Sequence, residues 1–326
     1  MTAGPPFAEL HLHIEGTLEP ETIFALAAQQ GLQLPYRDVE DLAKRYDFTN
    51  LQSFLDLYYD NMAVLRTTED FRTLTEAYLK RAWTAGVRHA ELFVDPQAHT
   101  SRGVSVGAVL GGVSAALDAA ATEPDGVTGG IIVCVLRDQP LDSAQRMLDE
   151  VLASGIDILG IGLDSAELGH PPGAFAPVFD RAAASGLRRV AHAGEEGPPA
   201  FVWEALDELG VERIDHGVRA LEDVALLDRL VRDQVPLTVC PLSNVRLQVS
   251  PDVAAVPIRR MLDAGLLVTV NSDDPAYFGG YLDDNLDAVA AAHHLTELEL
   301  ARLARNSVNA SFATEERKRA LLRGDS

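Results

Sequence analysis

The sequence is short of cysteine, of basic residues and of long apolar runs, and each shortage excludes a class of protein. Its 326 residues include only two cysteines, Cys134 and Cys240, so a disulfide-stapled secreted scaffold is excluded and a cytoplasmic location is expected. No stretch approaches the roughly 18 to 20 apolar residues that a membrane span needs, and the first ten residues, MTAGPPFAEL, lack the pattern of a secretion signal.

The charge balance points away from polyanionic partners. Lys and Arg together number 27 against 49 Asp and Glu, which gives a formal net charge of −22. Such a surface repels nucleic acid and anionic membranes over most of its area, so we expect a small-molecule partner. No Pro/Gly-rich linker divides the chain, which predicts one domain over residues 1–326. The oligomeric state stays open, with a homo-oligomer as one option.

Short apolar runs alternate with longer segments of helical periodicity, which predicts a largely parallel sheet. The predicted strands are 7–13, 87–94, 129–136, 157–163, 187–192, 211–216, 235–240 and 265–271. Eight such repeats predict an α/β fold, a (β/α)8 TIM barrel, with extra helices after strand 1 and in a C-terminal tail at 286–322. The alternative is an open doubly wound sheet, but no glycine-rich nucleotide loop follows a strand.

Unusual polar residues fall where the predicted strands end. In a parallel barrel the carboxyl ends of the strands build the active site, so these residues are functional candidates. They are His11 and His13 after strand 1, His192 and Glu195 after strand 5, His216 after strand 6, and Asp273 and Asp274 after strand 8. The sequence therefore predicts that all of them meet at one rim.

Four of these residues form a candidate metal site. His11 and His13 are two apart on a strand, so their imidazoles share a face, although alone they could be solvated histidines. His192 and Asp273 complete three imidazoles and one carboxylate, a set suited to zinc, which would lower the pKa of a bound water toward ~7. Iron or manganese stays open. The few lysines fall in predicted helices or loops, so a lysine-bridged second metal is not expected.

Three further residues are candidates for proton transfer and substrate binding. Glu195 lies beyond a strand end, where it can face a substrate, although a solvated loop carboxylate or a helix cap would look the same. His216 is placed to move a proton beside the metal, with a satisfied core histidine as the alternative. Asp274 follows a proposed ligand and should point elsewhere, as an ionised acceptor for a substrate N–H.

Five segments together resemble the adenosine/adenine deaminase family of the amidohydrolase superfamily. They are HLHIEG, HAGEE, RIDHG, CPLSN and VNSDDPAYF, and they span the whole chain in the order expected of that family. The resemblance implies a single zinc held by His11, His13, His192 and Asp273. It also implies hydrolytic loss of an amino group from a 6-aminopurine, with release of ammonia.

The same resemblance implies a role for each remaining residue. Glu195 would protonate the purine ring nitrogen next to the reacting carbon, and His216 would take a proton from the zinc-bound water. Asp274 would contact the nitrogen on the imidazole side of the purine. These implied roles agree with the interpretation made from the residues alone.

Two departures from the adenosine deaminase pattern bear on the substrate. Glu15 stands where those enzymes usually have an aspartate that helps to hold ribose, and Glu167 stands where they have a glycine. The longer Glu15 would crowd the ribose space, and Glu167 could accept a hydrogen bond from an N–H of an unsubstituted base. The resemblance is therefore to the adenine deaminase branch, which implies conversion of adenine to hypoxanthine in purine salvage.

Two alternatives stay open at this point. In the same fold, the chain could deaminate adenosine or a larger 6-aminopurine nucleoside such as aminodeoxyfutalosine. In a different class, it could be a non-catalytic purine-binding relative, which would have no need of the whole set of site residues. An apolar cover for the ring is expected from Phe48, Leu51 or Phe54 in the long first connection, although ordinary helix packing would explain them equally well.

Overall fold

The strands form one sheet in chain order, and every neighbouring pair is parallel. A computed structural model describes residues 6–324. Its strands are β1 (Phe7–His13), β2 (Val87–Val94), β3 (Thr128–Leu136), β4 (Gly160–Asp164), β5 (Arg188–Ala193), β6 (Arg213–His216), β7 (Pro236–Val239) and β8 (Leu267–Val270). The amide of Asp273 donates to the carbonyl of His11, and the amide of His13 donates to the carbonyl of Asp273, each at 3.0 Å. These bonds join the first strand to the segment after the last one, so the predicted (β/α)8 barrel is confirmed.

Helices fill the connections and surround the sheet. They are α1 (Pro20–Gln30), α2 (Val39–Ala43), α3 (Leu51–Asn61), α4 (Thr68–Thr84), α5 (Pro96–Thr100), α6 (Val106–Thr122), α7 (Leu141–Ala153), α8 (Ala176–Ala184), α9 (Pro199–Asp207), α10 (Val224–Asp233), α11 (Pro241–Arg246), α12 (Ile258–Asp263), α13 (Pro275–Phe278), α14 (Leu282–His293), α15 (Glu297–Ala310) and α16 (Glu315–Arg323). The extra helices lie after β1 and at the C-terminal end, as predicted. Over residues 6–324, none has the length and apolar character to cross a bilayer.

The strands are buried on both faces, which explains their nearly continuous apolar sequences. In β3, for example, the last six residues, from Ile131 to Leu136, are all buried. One face of each strand packs against the helices and the other fills the barrel interior, as expected for a parallel barrel. The predicted single domain, 1–326, reaches beyond the described residues at both ends and stays a prediction.

A buried ion pair crosses the barrel interior below the strand ends. Arg213 Nη1 donates to Glu91 Oε2 at 2.6 Å, and Arg213 Nη2 donates to the carbonyl of Leu10 at 3.2 Å. Arg213 begins β6 whereas His216 ends it, so the pair lies deeper than the predicted site. Burial raises the pKa of Glu91, but Arg213 and His89 outweigh it and lower that pKa to about 2. The charge of the pair is therefore balanced within the core.

Candidate active site

A cavity lies at the carboxyl ends of the strands. Most of the predicted site residues line it: His13, His192, Glu195, His216, Asp273 and Asp274. The strand ends therefore bring residues from β1, β5, β6 and β8 to one site.

The imidazoles of β1 and β5 converge on Asp273. The Nε2 atoms of His11 and His13 lie 3.2 Å and 3.5 Å from Asp273 Oδ1, and His13 Nε2 lies 3.3 Å from His192 Nε2. Tetrahedral ligands at about 2.1 Å from a zinc ion would be about 3.4 Å apart. Three pairs within the predicted ligand set therefore have the spacing of ligands around one divalent ion, but His13 lies outside the mutually close group that contains His11, His192 and Asp273.

Hydrogen bonds to the outer ring nitrogens fix the tautomers of two of these histidines. The Thr238 hydroxyl donates to Asp215 at 2.8 Å, so its oxygen accepts from His11 Nδ1–H at 3.0 Å. His192 Nδ1 lies 3.1 Å from the carbonyl of Leu163, an acceptor only. Both Nε2 atoms are thus left with a lone pair directed into the cluster. The buried Nε2 of His11 has no hydrogen-bond partner, which fits a metal ligand.

His216 lies beside the same cluster but faces the other carboxylate oxygen. Its Nε2 is 3.7 Å from Asp273 Oδ2 and 3.6 Å from Glu195 Oε2. One group of mutually close ligand atoms comprises His11, His192, His216 and Asp273, so by distance alone His216 could also bind a metal. Its position between Asp273 and Glu195 fits the predicted proton-transfer role equally well.

Glu195 and His216 have complementary protonation states. Burial raises the pKa of Glu195 well above its ordinary value, and the charges of Asp273 and Glu167 raise it further. Burial and the nearby His11 lower the pKa of His216 to about 3. At neutral pH His216 is therefore unprotonated, and the surroundings of Glu195 favour its protonated form. The site combines a proton donor with a proton acceptor.

Asp273 and Asp274 differ although they are neighbours. Burial raises the pKa of Asp273, but His11 and the other imidazoles outweigh it and hold that pKa well below its ordinary value. Burial and the charge of Asp273 raise the pKa of Asp274 well above its ordinary value. These surroundings favour a neutral carboxyl, which can donate a hydrogen bond, over the ionised acceptor that we expected. A Cβ on Gly16 would lie 2.0 Å from Asp274 Oδ1, so only glycine fits against this side chain.

Glu15 and Glu167 are both buried and neither lines the cavity. Glu15 Oε1 accepts from the amide of Asp95 at 3.2 Å and contacts His99 Nε2 at 2.8 Å. Glu167 binds backbone amides after β5. The structure therefore favours positioning roles for both residues over the predicted contact with ribose or base.

Two carboxylates in the cavity were missed by the sequence interpretation. Asp95 follows β2 and Asp164 ends β4, and in each the Oδ1 atom is buried without a hydrogen-bond partner. Burial raises the pKa of Asp164 to about 7, and burial together with Asp164 raises that of Asp95 well above its ordinary value. Examining the ends of all eight strands would have found them.

Helix α3 covers the cavity. Asn50 caps it by accepting from the amide of Ser53 at 2.9 Å. Leu51 and Phe54 on its first turns line the cavity, as expected of a cover. Phe48 does not line it but packs edge-on against Phe54, with ring centroids 5.4 Å apart. The predicted apolar cover thus divides into two lining residues and one that supports them.

Comparison with known proteins decides the family. The family model described as adenosine deaminase matches residues 6–324, which is nearly the whole chain. The chain belongs to the adenosine deaminase family. The family resemblance stated from the sequence motifs is confirmed, and membership makes the chain a hydrolase of carbon–nitrogen bonds.

Several members of the family, and solved structures, are similar along nearly their full length. An adenine deaminase of Streptomyces coelicolor is 61% identical over 311 residues, which cover 95% of this chain and 91% of that protein. The crystal structure of an adenine deaminase from Arthrobacter aurescens has a TM-score of 0.96 and 57% identity, covering 98% of this chain and 97% of that one. A cog1816 amidohydrolase from Burkholderia ambifaria, crystallised with bound zinc, has a TM-score of 0.88 and 27% identity, covering 97% and 88% of the two chains.

Proposed function

We propose that this protein hydrolyses adenine to hypoxanthine and ammonia, with one divalent metal ion, zinc, as its cofactor. The observation that carries the proposal is a buried histidine–aspartate cluster in the same cavity as Glu195, whose pKa is raised, and His216, whose pKa is lowered to about 3. The choice of adenine is supported by full-length relatives at 50–61% identity that are named adenine deaminases. The activity fits a purine-salvage enzyme.

We assign the metal to His11, His13, His192 and Asp273. The first two face one oxygen of Asp273, whereas His216 faces the other, which leaves His216 free to act on the water. When bound, a divalent ion supplies a water that is readily deprotonated at neutral pH. The bound zinc in the Burkholderia ambifaria amidohydrolase favours that ion, although the ligands themselves also suit iron or manganese.

The proton transfers follow from the protonation states of the two residues. Glu195 donates its proton to the ring nitrogen next to the amino-bearing carbon, which makes that carbon more electrophilic. His216 accepts a proton from the attacking water. Oxygen bonds to the carbon, His216 gives its proton to the amino group, and the carbon–nitrogen bond breaks as ammonia leaves. The proton of the new hydroxyl passes to Glu195, which leaves the carbonyl of hypoxanthine and restores the proton donor. The neutral Asp274 can donate to the nitrogen on the imidazole side of the ring.

Free adenine suits the acidic end of the cavity better than a nucleoside does. Asp95 and Asp164 have oxygens there without partners, and an adenine N–H can supply the hydrogen bond that they lack. A nucleoside carries its sugar in place of that N–H. Tyr59 donates to Ser165 at 3.2 Å in the wall of the same cavity.

The proposal is tested by ammonia release from the metal-loaded protein with adenine, 9-methyladenine and adenosine. We expect the highest kcat/KM for adenine, a large loss for 9-methyladenine because it lacks the N–H, and a further loss for adenosine. A higher kcat/KM for adenosine than for adenine would show that the substrate assignment is wrong. Absence of ammonia from all three would favour the non-catalytic relative.

A further inference from the structure

Glu167 binds four consecutive backbone amides of the segment that carries Glu195. Its Oε1 accepts from Gly194 at 2.6 Å. Its Oε2 accepts from Glu195 at 3.1 Å, Glu196 at 2.8 Å and Gly197 at 2.7 Å. Convergent amides of this kind form an anion-binding nest, and bonds to a carboxylate are stronger than those between neutral groups. One buried side chain thus satisfies every amide between Gly194 and Gly197.

The segment 194–197 is shaped to receive this carboxylate. Gly194 has a φ of +74°, in the left-handed region that favours glycine. A Cβ on Gly197 would lie 2.7 Å from Glu167 Cδ, so the carboxylate approaches more closely than any other residue would allow. Arg219 holds the opposite side, donating from its backbone amide to the carbonyl of Gly194 at 2.9 Å and from Nη1 to the carbonyl of Glu196 at 2.6 Å.

The side chain of Glu195 points into the cavity while its own amide is bound to Glu167. We propose that Glu167 is a positioning residue that folds segment 194–197 so that the carboxyl of Glu195 meets the ring nitrogen of the purine. This inference rests on the proposed function, in which Glu195 is the proton donor. Glu167 would then act through Glu195, without contacting the base directly.

Glutamine cannot replace the carboxylate here, although it has the same shape. One of its two polar termini is an NH₂ group, which would face an amide N–H and leave it unpaired in the protein interior. Aspartate keeps both oxygens but is one methylene shorter. We therefore expect kcat to fall in the order wild type, Glu167→Asp, Glu167→Gln.

The test is a double-mutant cycle with Glu195→Gln. We expect Glu167→Gln alone to lower kcat for adenine by about 10²-fold, the size expected when a catalytic group is displaced by about 1 Å. In the Glu195→Gln background it should cause little further loss, because the residue through which it acts is already disabled. An equal loss of kcat in both backgrounds, or normal turnover in Glu167→Gln, would overturn the proposal. If Glu167→Gln does not fold, the same cycle is run with Glu167→Asp.

Glu204→Gln is the matched control. Glu204 also accepts from a backbone amide, that of Gly173 at 3.2 Å, but lies outside the cavity. It should leave kcat and metal content unchanged.

Hydrogen exchange separates failure of this inference from failure of the proposed function. Glu167→Gln should speed exchange of the amides at 194–197 while metal content stays at the wild-type level, whatever the substrate proves to be. Unchanged exchange of these amides in Glu167→Gln would refute the role of Glu167 as a positioning residue, even if the wild type deaminates adenine. Inactivity of the wild type on adenine, with faster exchange in the variant, would refute only the substrate assignment.

Discussion

At the scale of single residues, the two oxygens of Asp273 face different histidines. His11 and His13 face Oδ1, and His216 faces Oδ2 on the side of Glu195. Asp273 and His216 adopt φ values of +65° and +61°, a left-handed conformation that is uncommon outside glycine. Such strain costs on the order of 1 kcal/mol at each residue and is concentrated at functional sites. The backbone here is thus bent to aim side chains rather than to continue a helix or strand.

Glu195 supplies the most direct test at this scale. We expect Glu195→Gln to lower kcat by about 10²- to 10⁴-fold, since the variant lacks the transferable proton. In the wild type kcat/KM should fall as pH rises through the raised pKa of Glu195, because the donor form is lost there. Steady-state kinetics across pH measures both effects.

Metal analysis is the control for this variant. Glu195→Gln should hold about as much metal as the wild type, close to one ion per chain, because Glu195 is not among the proposed ligands. Near-normal turnover in the variant would remove Glu195 from the proton-donor role.

At the scale of elements, the positions of the strands along the chain were easier to predict from the sequence than the contacts between distant side chains. The predicted 7–13 and 87–94 coincide with β1 and β2, in which apolar residues are interrupted by buried polar ones. The run 265–271 shortens to Leu267–Val270, although the amide of Asp273 beyond it still bonds to the carbonyl of His11 in β1. Hydrogen bonds of Glu167 join residues 27 to 30 apart, and no local pattern encodes where that side chain meets the amides. Site residues at strand ends were therefore predictable, whereas the task of Glu167 was not.

The ion pair between β2 and β6 tests how the barrel interior is stabilised. Glu91→Gln should lower the free energy of unfolding by about 3–5 kcal/mol, because it removes the nearest carboxylate from the buried Arg213 charge and leaves only Asp215 Oδ1 at 3.8 Å. The lowered pKa of Glu91 means that its contribution is complete above the unfolded pKa of about 4.3 and is lost as pH falls toward 2. Urea unfolding between neutral and acidic pH measures this dependence.

Glu40→Gln is the comparison variant, because Glu40 pairs with Lys44 on an exposed helix surface. It should change stability little. Equal losses of stability in the two variants would contradict the role given to the buried pair.

At the scale of the whole molecule, part of the net charge of −22 comes from residues at the cavity. Carboxyl groups are concentrated at the cavity as well as over the surface: Asp95, Asp164, Glu195, Asp273 and Asp274 all line it. A nucleotide phosphate would be repelled there, whereas a neutral purine would not. Cytoplasmic location and a homo-oligomer stay predictions.

Competition between adenine and adenosine tests the central claim most directly. Both are offered at equal concentration to the metal-loaded protein, and the initial rates of hypoxanthine and inosine formation are measured in the same tube. Their ratio is the ratio of the two kcat/KM values, independent of the fraction of active protein. We predict that hypoxanthine forms in large excess, because the cavity offers unpaired carboxylate oxygens of Asp95 and Asp164 to an adenine N–H that adenosine lacks. An excess of inosine would contradict the assignment of this chain as an adenine deaminase.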